Sequence, residues 1–298
     1  MNTHSRTSEL VLLIIVGIAL AILGYLYLSS HNELYRRYEV QLEELEIPTG
    51  QAAVAEGERL ARIRGCFWCH GADLEGQQYF AEADRGIIVV APNLTAKIRE
   101  YTPAEFARAF RHGVKRDGTS VQPAMPAFAY YNMSDADTAK LIAYVSSLPE
   151  KEGFEGEFRL MPLGWYRWWA GRLPPNAAEL IDHDAPRPDP AVGADPVARG
   201  RYLAESICTE CHGDNGRLRV PNTPDLVVAA AYNRDDFFRL MRTGVPVGER
   251  KIDSHMVDVS KYRYTAMTDE EIDALHSYFR SLAGITDLQP AVGESRPN

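Results

Sequence analysis

Cysteine is scarce in this chain. Four among 298 residues are too few for the disulfide framework that holds small secreted scaffolds together. Basic residues are also short, 32 against 41 acidic ones, and the formal net charge of -9 leaves no basic footprint for a nucleic acid partner. Long apolar runs are nearly missing: one stands near the N-terminus, and no later segment is long enough to cross a bilayer, so all that follows it is expected on one side. What is there is the make-up of a globular chain, 45% hydrophobic and 24% charged, of a length that suggests about two domains.

The apolar run, Leu10 to Leu28, holds no charge, and at about 1.5 Å per residue its helix is about 28 Å long, close to a hydrocarbon core. A cleaved signal peptide is expected to have a shorter apolar stretch with its small-residue site beyond it, whereas Ala19 and Ala21 lie inside this run. Residues 1–30 therefore read as a transmembrane anchor. Tyr25 and Tyr27 suit an interfacial belt, while Arg6 on one side and Arg36 and Arg37 on the other do not orient the span. Leu34, Tyr38, Leu42 and Leu45 then recur near helical spacing among acidic residues, which predicts a helical stalk over 31–50, ended by Pro48 and Gly50.

All four cysteines fall in two copies of one pattern, Cys66-Phe-Trp-Cys69-His70 and Cys208-Thr-Glu-Cys211-His212. This is the spacing of c-type haem attachment: two thiols on one helical turn each add to a vinyl group, and the next imidazole becomes an axial iron ligand. A thioredoxin-like pair or a zinc site also uses C-x-x-C, but neither accounts for the repeated His, and zinc ribbons set their pairs about 15–20 residues apart.

On these motifs the chain resembles a membrane-anchored dihaem c-type cytochrome made of two mitochondrial-type cytochrome c domains, similar to cytochrome subunits of respiratory complexes. The resemblance covers residues 51–150 and 195–284. It implies an all-α fold, with a transmembrane helix followed by two haem domains, and two covalent haem c groups tethered by Cys66, Cys69, Cys208 and Cys211. It also implies His70 and His212 on one iron face, usually Met on the other, and the carbonyls of Pro92 and Pro224 as acceptors for the ligand imidazoles.

An internal repeat supports the second ligand. His70 and His212 set an offset of 142, and Gly57 through Ala61 answers Gly200 through Ala204 ahead of the motifs. Pro92-Asn-Leu follows its His by 22 residues and Pro224-Asp-Leu by 12, which predicts an insertion in a loop around Gln77 to Val90. Phe106, Phe110 and Gly113 match Phe237, Met241 and Gly244 on a helix, and capping boxes are expected at Thr102–Glu105 and Thr268–Glu271. Tyr144 and Tyr278 correspond in the last helices. Between these helices, Met125 and Met256 each lie 12 residues past the matched glycine, Met125 inside Pro-Ala-Met-Pro. A thioether is soft and neutral and raises the potential relative to a second imidazole. Filling a core gap is the commonplace alternative for a methionine, and the neighbouring His255 is an alternative second ligand. Met133 and Met267 also correspond, as staples before helix starts.

Residues 151–194 lack the repeat and read as a linker, in which Trp165, Trp168 and Trp169 suit a membrane interface, a protein hot spot or packing against the haem domains; 285–298 read as a tail. The function expected is one-electron transfer through two six-coordinate haems by a chain that is itself no enzyme, serving as an anchored carrier or as the cytochrome subunit of a respiratory or dehydrogenase complex. The alternative is an enzyme resembling dihaem cytochrome c peroxidases, which needs one open iron position. Haem attachment of this kind implies a single-pass protein of the bacterial inner membrane with both domains in the periplasm, redox proteins as partners and no nucleic acid.

Overall fold

The computed structural model describes residues 3–82, 84–188, 195–213, 223–248 and 250–284; the end of the linker, 189–194, and the tail, 285–298, lie outside the described residues. Along the chain run α1 (Thr3–Leu34), α2 (Gln51–Ile63), α3 (Cys66–His70), strands β1 (Gln77–Glu82) and β2 (Ile87–Ala91), α4 (Leu94–Glu100), α5 (Pro103–His112), α6 (Ala127–Tyr130) and α7 (Asp135–Ser147). There follow β3 (Glu157–Leu160), α8 (Pro162–Trp169), α9 (Pro196–Leu203), α10 (Thr209–His212), α11 (Arg234–Thr243), α12 (Ser254–Tyr262) and α13 (Asp269–Leu282). The molecule is mostly helical, as its pattern implies. It forms two compact units, one of residues up to Leu45, Phe67–Phe128 and Leu148–Asp184, the other of Glu46–Cys66, Ala129–Ser147 and the described residues from Ala185 onward.

In the first unit, Thr7–Leu34 of α1 is long and apolar enough to cross a membrane. The expected helical stalk does not form: α1 ends at Leu34 and the chain from Glu39 to Thr49 forms no regular element. Its backbone finds partners elsewhere. Arg37 bridges Thr119, the Tyr38 amide donates to the Gly118 carbonyl at 2.8 Å, and Arg108 donates to the Val40 carbonyl. Side chains follow, Arg111 pairing with Glu43 and the Tyr38 hydroxyl donating to Glu179 at 2.5 Å. Partners across the unit thus replace the i→i−4 ladder that periodicity alone anticipates.

The insertion around Gln77 to Val90 is not a loop either. It is an antiparallel hairpin, β1 on β2, with Gln77 opposite Ala91 and Glu82 opposite Ile87, and β3 from the linker pairs β2 with Ile87 opposite Leu160. The run Ile87-Ile-Val-Val-Ala91 is β-branched and alternates, so Ile87 and Val89 point into a small core with Leu160 and Trp168. The linker is therefore built into this unit, as β3, α8 and a 3-10 turn at Ala177–Leu180. His183 is tied to the end of α5, its Nδ1 lying 3.1 Å from Nδ1 of His112.

In the second unit two helix pairs cross in the same way. A Cβ at Gly57 of α2 would stand 2.1 Å from the Lys140 carbonyl and 2.7 Å from Tyr144 Cβ of α7. A Cβ at Gly200 of α9 would stand 1.9 Å from the Ala274 carbonyl and 2.7 Å from Tyr278 Cβ of α13. Only glycine permits either approach. Tyr144 and Tyr278 thus occupy the same place at each crossing. The core gathers Tyr202, Leu203, Ile207, Phe237, Met241, Met267, Ile272, Leu275 and Phe279. Both capping boxes are present: Thr102 accepts from the Glu105 amide and Thr268 from the Glu271 amide, each at 3.2 Å, while the glutamates reach back.

Candidate haem sites

Each attachment motif is wound onto a short helical turn. In the first repeat the chain breaks after α2 and α3 carries Cys66, Cys69 and His70. In the second, a π turn at Ala204–Cys208 leads without a break into α10, which carries Cys211 and His212. None of the four cysteines is in a disulfide. Burial pushes the Cys66 thiol up to about 11 and that of Cys208 to about 12, and the half-buried Cys211 to about 11. Upward shifts of this kind run opposite to the depressed thiol pKa on which a thioredoxin-like pair depends.

The imidazoles are held alike. Nδ1 of His70 lies 2.8 Å from the Pro92 carbonyl and Nδ1 of His212 lies 2.8 Å from the Pro224 carbonyl. A carbonyl can only accept, so each Nδ1 carries the proton and each Nε2 keeps the lone pair a metal needs. Burial outweighs the Pro92 bond and lowers the His70 pKa, keeping the ring in the neutral form that ligates. The ten-residue insertion does not displace Pro92, because the β1–β2 hairpin returns the chain to where it left: the Gly76 amide donates to the His70 carbonyl at 2.7 Å and Leu94 to Leu74 at 2.8 Å. The turns are braced at their carbonyls, Trp68 by the Gln77 side-chain Nε2 at 2.6 Å and Cys211 by the Thr223 hydroxyl at 3.1 Å.

The methionines sit on different local structures. Met125, half-buried, lies in a turn closed by its own amide on the Gln122 carbonyl, just before α6. Met256 lies in the first turn of α12 and packs against the core that contains Cys208. His255 beside it is exposed, with its backbone amide capped by Asp253. Met133 and Met267 are buried in the cores before α7 and α13.

Sequence reasoning missed Arg263. Its buried guanidinium donates from Nε to the Ile63 carbonyl at 2.9 Å, three residues before Cys66, and from Nη2 to Glu210 at 2.7 Å, between Cys208 and Cys211. Burial opposes its charge, and the Glu210 carboxylate more than offsets that. Its Cζ lies 2.8 Å from where a Cβ on Gly65 would be, so Gly65 is the one trace of it in the sequence. Tyr130 donates to the Arg64 carbonyl beside it at 2.8 Å.

Comparison with known proteins agrees with the geometry. The cytochrome c family model matches residues 54–149 and 197–283. The cytochrome c subunit of the quinone alcohol dehydrogenase of Gluconacetobacter polyoxogenes is 26% identical over 287 residues, covering 80% of this chain and 58% of that protein. The fructose dehydrogenase cytochrome subunit of Gluconobacter japonicus is 24% identical, covering 77% and 52%. A diheme cytochrome c-type protein of Cereibacter sphaeroides is 26% identical, covering 80% of this chain and 88% of its own length. The chain thus spans a little over half the length of these two dehydrogenase subunits. With two haem-attachment turns, two imidazoles braced alike and two matched segments, the chain belongs to the cytochrome c family.

Proposed function

We propose that this chain carries single electrons through two covalent haems, as the membrane-anchored cytochrome subunit of a dehydrogenase complex. The observation that carries the reading is the duplicated pair of imidazoles, each with Nδ1 2.8 Å from a proline carbonyl and Nε2 left as the donor. A bound haem supplies a one-electron ferric–ferrous couple. The chain's own residues do the rest. Cys66 and Cys69, and Cys208 and Cys211, would tether the two haems, and His70 and His212 would ligate them through Nε2. The Pro92 and Pro224 carbonyls fix the imidazole planes and raise ligand basicity. Met125 and Met256 would supply the second ligand to each haem as a soft thioether, which favours the reduced iron. The packing of Met256 against the core that holds Cys208, with His255 exposed, supports the methionine over the histidine.

Irons held by both His and Met would leave no place for substrate, so oxidation of the substrate would belong to a partner, and the relatives named as dehydrogenase cytochrome subunits support a dehydrogenase as that partner. The anchor is α1 and the haem domains, 51–150 and 195–284, face the periplasm, where this attachment chemistry is carried out. The test is spectroscopic. A pyridine haemochrome assay is expected to count two haems per chain, and the ferric protein to show the long-wavelength charge-transfer band of sulfur ligation. Met125→His is expected to remove about half that band and lower one midpoint potential. A high-spin ferric haem that consumes peroxide in the unaltered protein would sink the reading and favour the peroxidase-like alternative.

A further inference from the structure

Helix α8 presents two unlike faces. Gly164, Trp165 and Trp168 point inward: Trp168 is buried against Ile87, Val89 and Leu160, and the Trp165 ring meets Tyr27 of α1 edge-on at 5.2 Å. Leu163, Tyr166 and Trp169 are 46%, 37% and 51% exposed, and at about 100° per residue they share an arc of about 120° on the other side. Three large apolar side chains on one arc of an eight-residue helix form a face that water does not favour.

The position of α8 says what covers that face. It packs against the end of the apolar run of α1, where the Ser30 hydroxyl donates to the Trp165 carbonyl at 3.1 Å and Tyr27 meets Trp165. Leu28, the last residue of the uncharged run, lies between those two contacts. A helix fixed there lies at the level where hydrocarbon gives way to headgroups, the depth at which Trp and Tyr collect. Its charge fits as well. Arg159 pairs with Glu157 at 2.6 Å, but from Leu160 to Ala178 the chain has no carboxylate and two arginines, Arg167 and Arg172, although the protein as a whole is acidic. Arg172 lies over the Tyr166 ring at 5.4 Å, at the edge of the exposed face.

The mounting is close-packed. The Met161 amide donates to the Gly86 carbonyl at 2.9 Å. Gly86 and Gly164 meet so closely that a Cβ on either would stand 2.4 or 2.2 Å from the other's backbone. The inserted β1–β2 hairpin and β3 thus form a bracket that holds α8 beside α1.

We propose that the Leu163–Tyr166–Trp169 face of α8 is a second membrane contact, seated in the headgroup–acyl boundary of an anionic phospholipid bilayer next to the point where α1 enters it. The proposal rests on α1 spanning the membrane and is independent of the haems. Its test uses the full haem-loaded chain in vesicles of phosphatidylcholine and phosphatidylglycerol containing a phospholipid with a photoactivatable group near the top of its acyl chain, with labelled peptides mapped by mass spectrometry. Peptides from both α1 and α8 are expected to be labelled. In the triple variant L163S/Y166S/W169S, labelling of α8 is expected to fall several-fold while α1 labelling and haem content stay the same. Replacing phosphatidylglycerol with phosphatidylcholine is expected to weaken the α8 signal alone. Labelled α1 with unlabelled α8 overturns the proposal, as does α8 labelling that the triple variant leaves unchanged; protection of this face only in a complex with another protein would assign it to that partner instead. If α1 is also unlabelled, the spanning reading has failed and the proposal with it.

Discussion

At the scale of single residues, the chemistry lies in side chains whose types are fixed by what iron and porphyrin require, and these were the most legible in the sequence. Two thiols and an imidazole at fixed spacing, repeated, leave few other meanings. Arg263 shows the limit of that legibility. It reaches Ile63 at a sequence separation of 200, and no local pattern marks such a contact. Arg263 and Glu210 place opposite fixed charges beside the attachment turns. At an effective dielectric of about 20, a unit charge about 10 Å from an iron shifts its couple by about 1.7 kcal/mol, roughly seventeenfold in the redox equilibrium or about 70 mV. Arg263→Gln is therefore expected to lower the haem midpoint potentials by tens of millivolts and Glu210→Gln to raise them. A spectroelectrochemical titration checks this, and shifts of the same sign in both variants would show that the pair acts through folding alone.

At the scale of elements, the helices that recur in both repeats were legible, because each carries a periodic apolar face and its own cap. The capping boxes at Thr102 and Thr268 were readable for the same reason: every atom involved lies within four residues. Two elements were not. The segment after α1 has helical periodicity, yet Arg37, Tyr38 and Val40 take backbone partners at Thr119, Gly118 and Arg108, which become neighbours only after folding. The inserted hairpin has a β-branched second strand, but its third strand comes from about 70 residues downstream, so a local reading sees a loop. The glycine at each helix crossing is where sequence and packing agree most closely. Gly200→Ala would push a methyl group onto the Ala274 carbonyl, and relief requires moving α9 away from α13. A loss of about 1–3 kcal/mol or more is expected, read as a lower urea midpoint of the haem-loaded protein. An unchanged midpoint would mean that α9 and α13 part to admit the methyl group at no cost.

At the scale of the whole molecule, acidic residues outnumber basic ones, yet the second unit gathers its buried carboxylates around cations. Glu271 of α13 accepts from Arg59 of α2 at 2.7 and 2.9 Å and from Arg199 of α9 at 3.3 Å. Asp137 of α7 accepts from the Tyr202 hydroxyl of α9 at 2.6 Å and from Lys140 at 3.3 Å. Together with Arg64 these groups line a cavity of about 210 Å³ shared by α2, α7, α9 and α13. Burial works to raise the Asp137 pKa, but the Arg64 charge and the Tyr202 bond outweigh it and hold the carboxyl below its ordinary value. Glu271 is lowered against burial in the same way, first by the bonds from Arg59. For a group whose folded pKa is depressed, the unfolded chain takes up a proton first as the pH falls. The stabilisation is therefore complete above the ordinary carboxylate range, about pH 4, and is lost as the pH drops through the lower folded values. Chemical unfolding of the haem-loaded protein at a series of pH values is expected to show stability falling steeply below about pH 4. Asp137→Asn should be less stable at neutral pH and should lose less on acidification, since it has no proton to take up at that site. If the variant and the parent lose stability in parallel on acidification, Asp137 contributes nothing to the acid sensitivity, and the charge cluster between the four helices is held by packing rather than by its ion pairs.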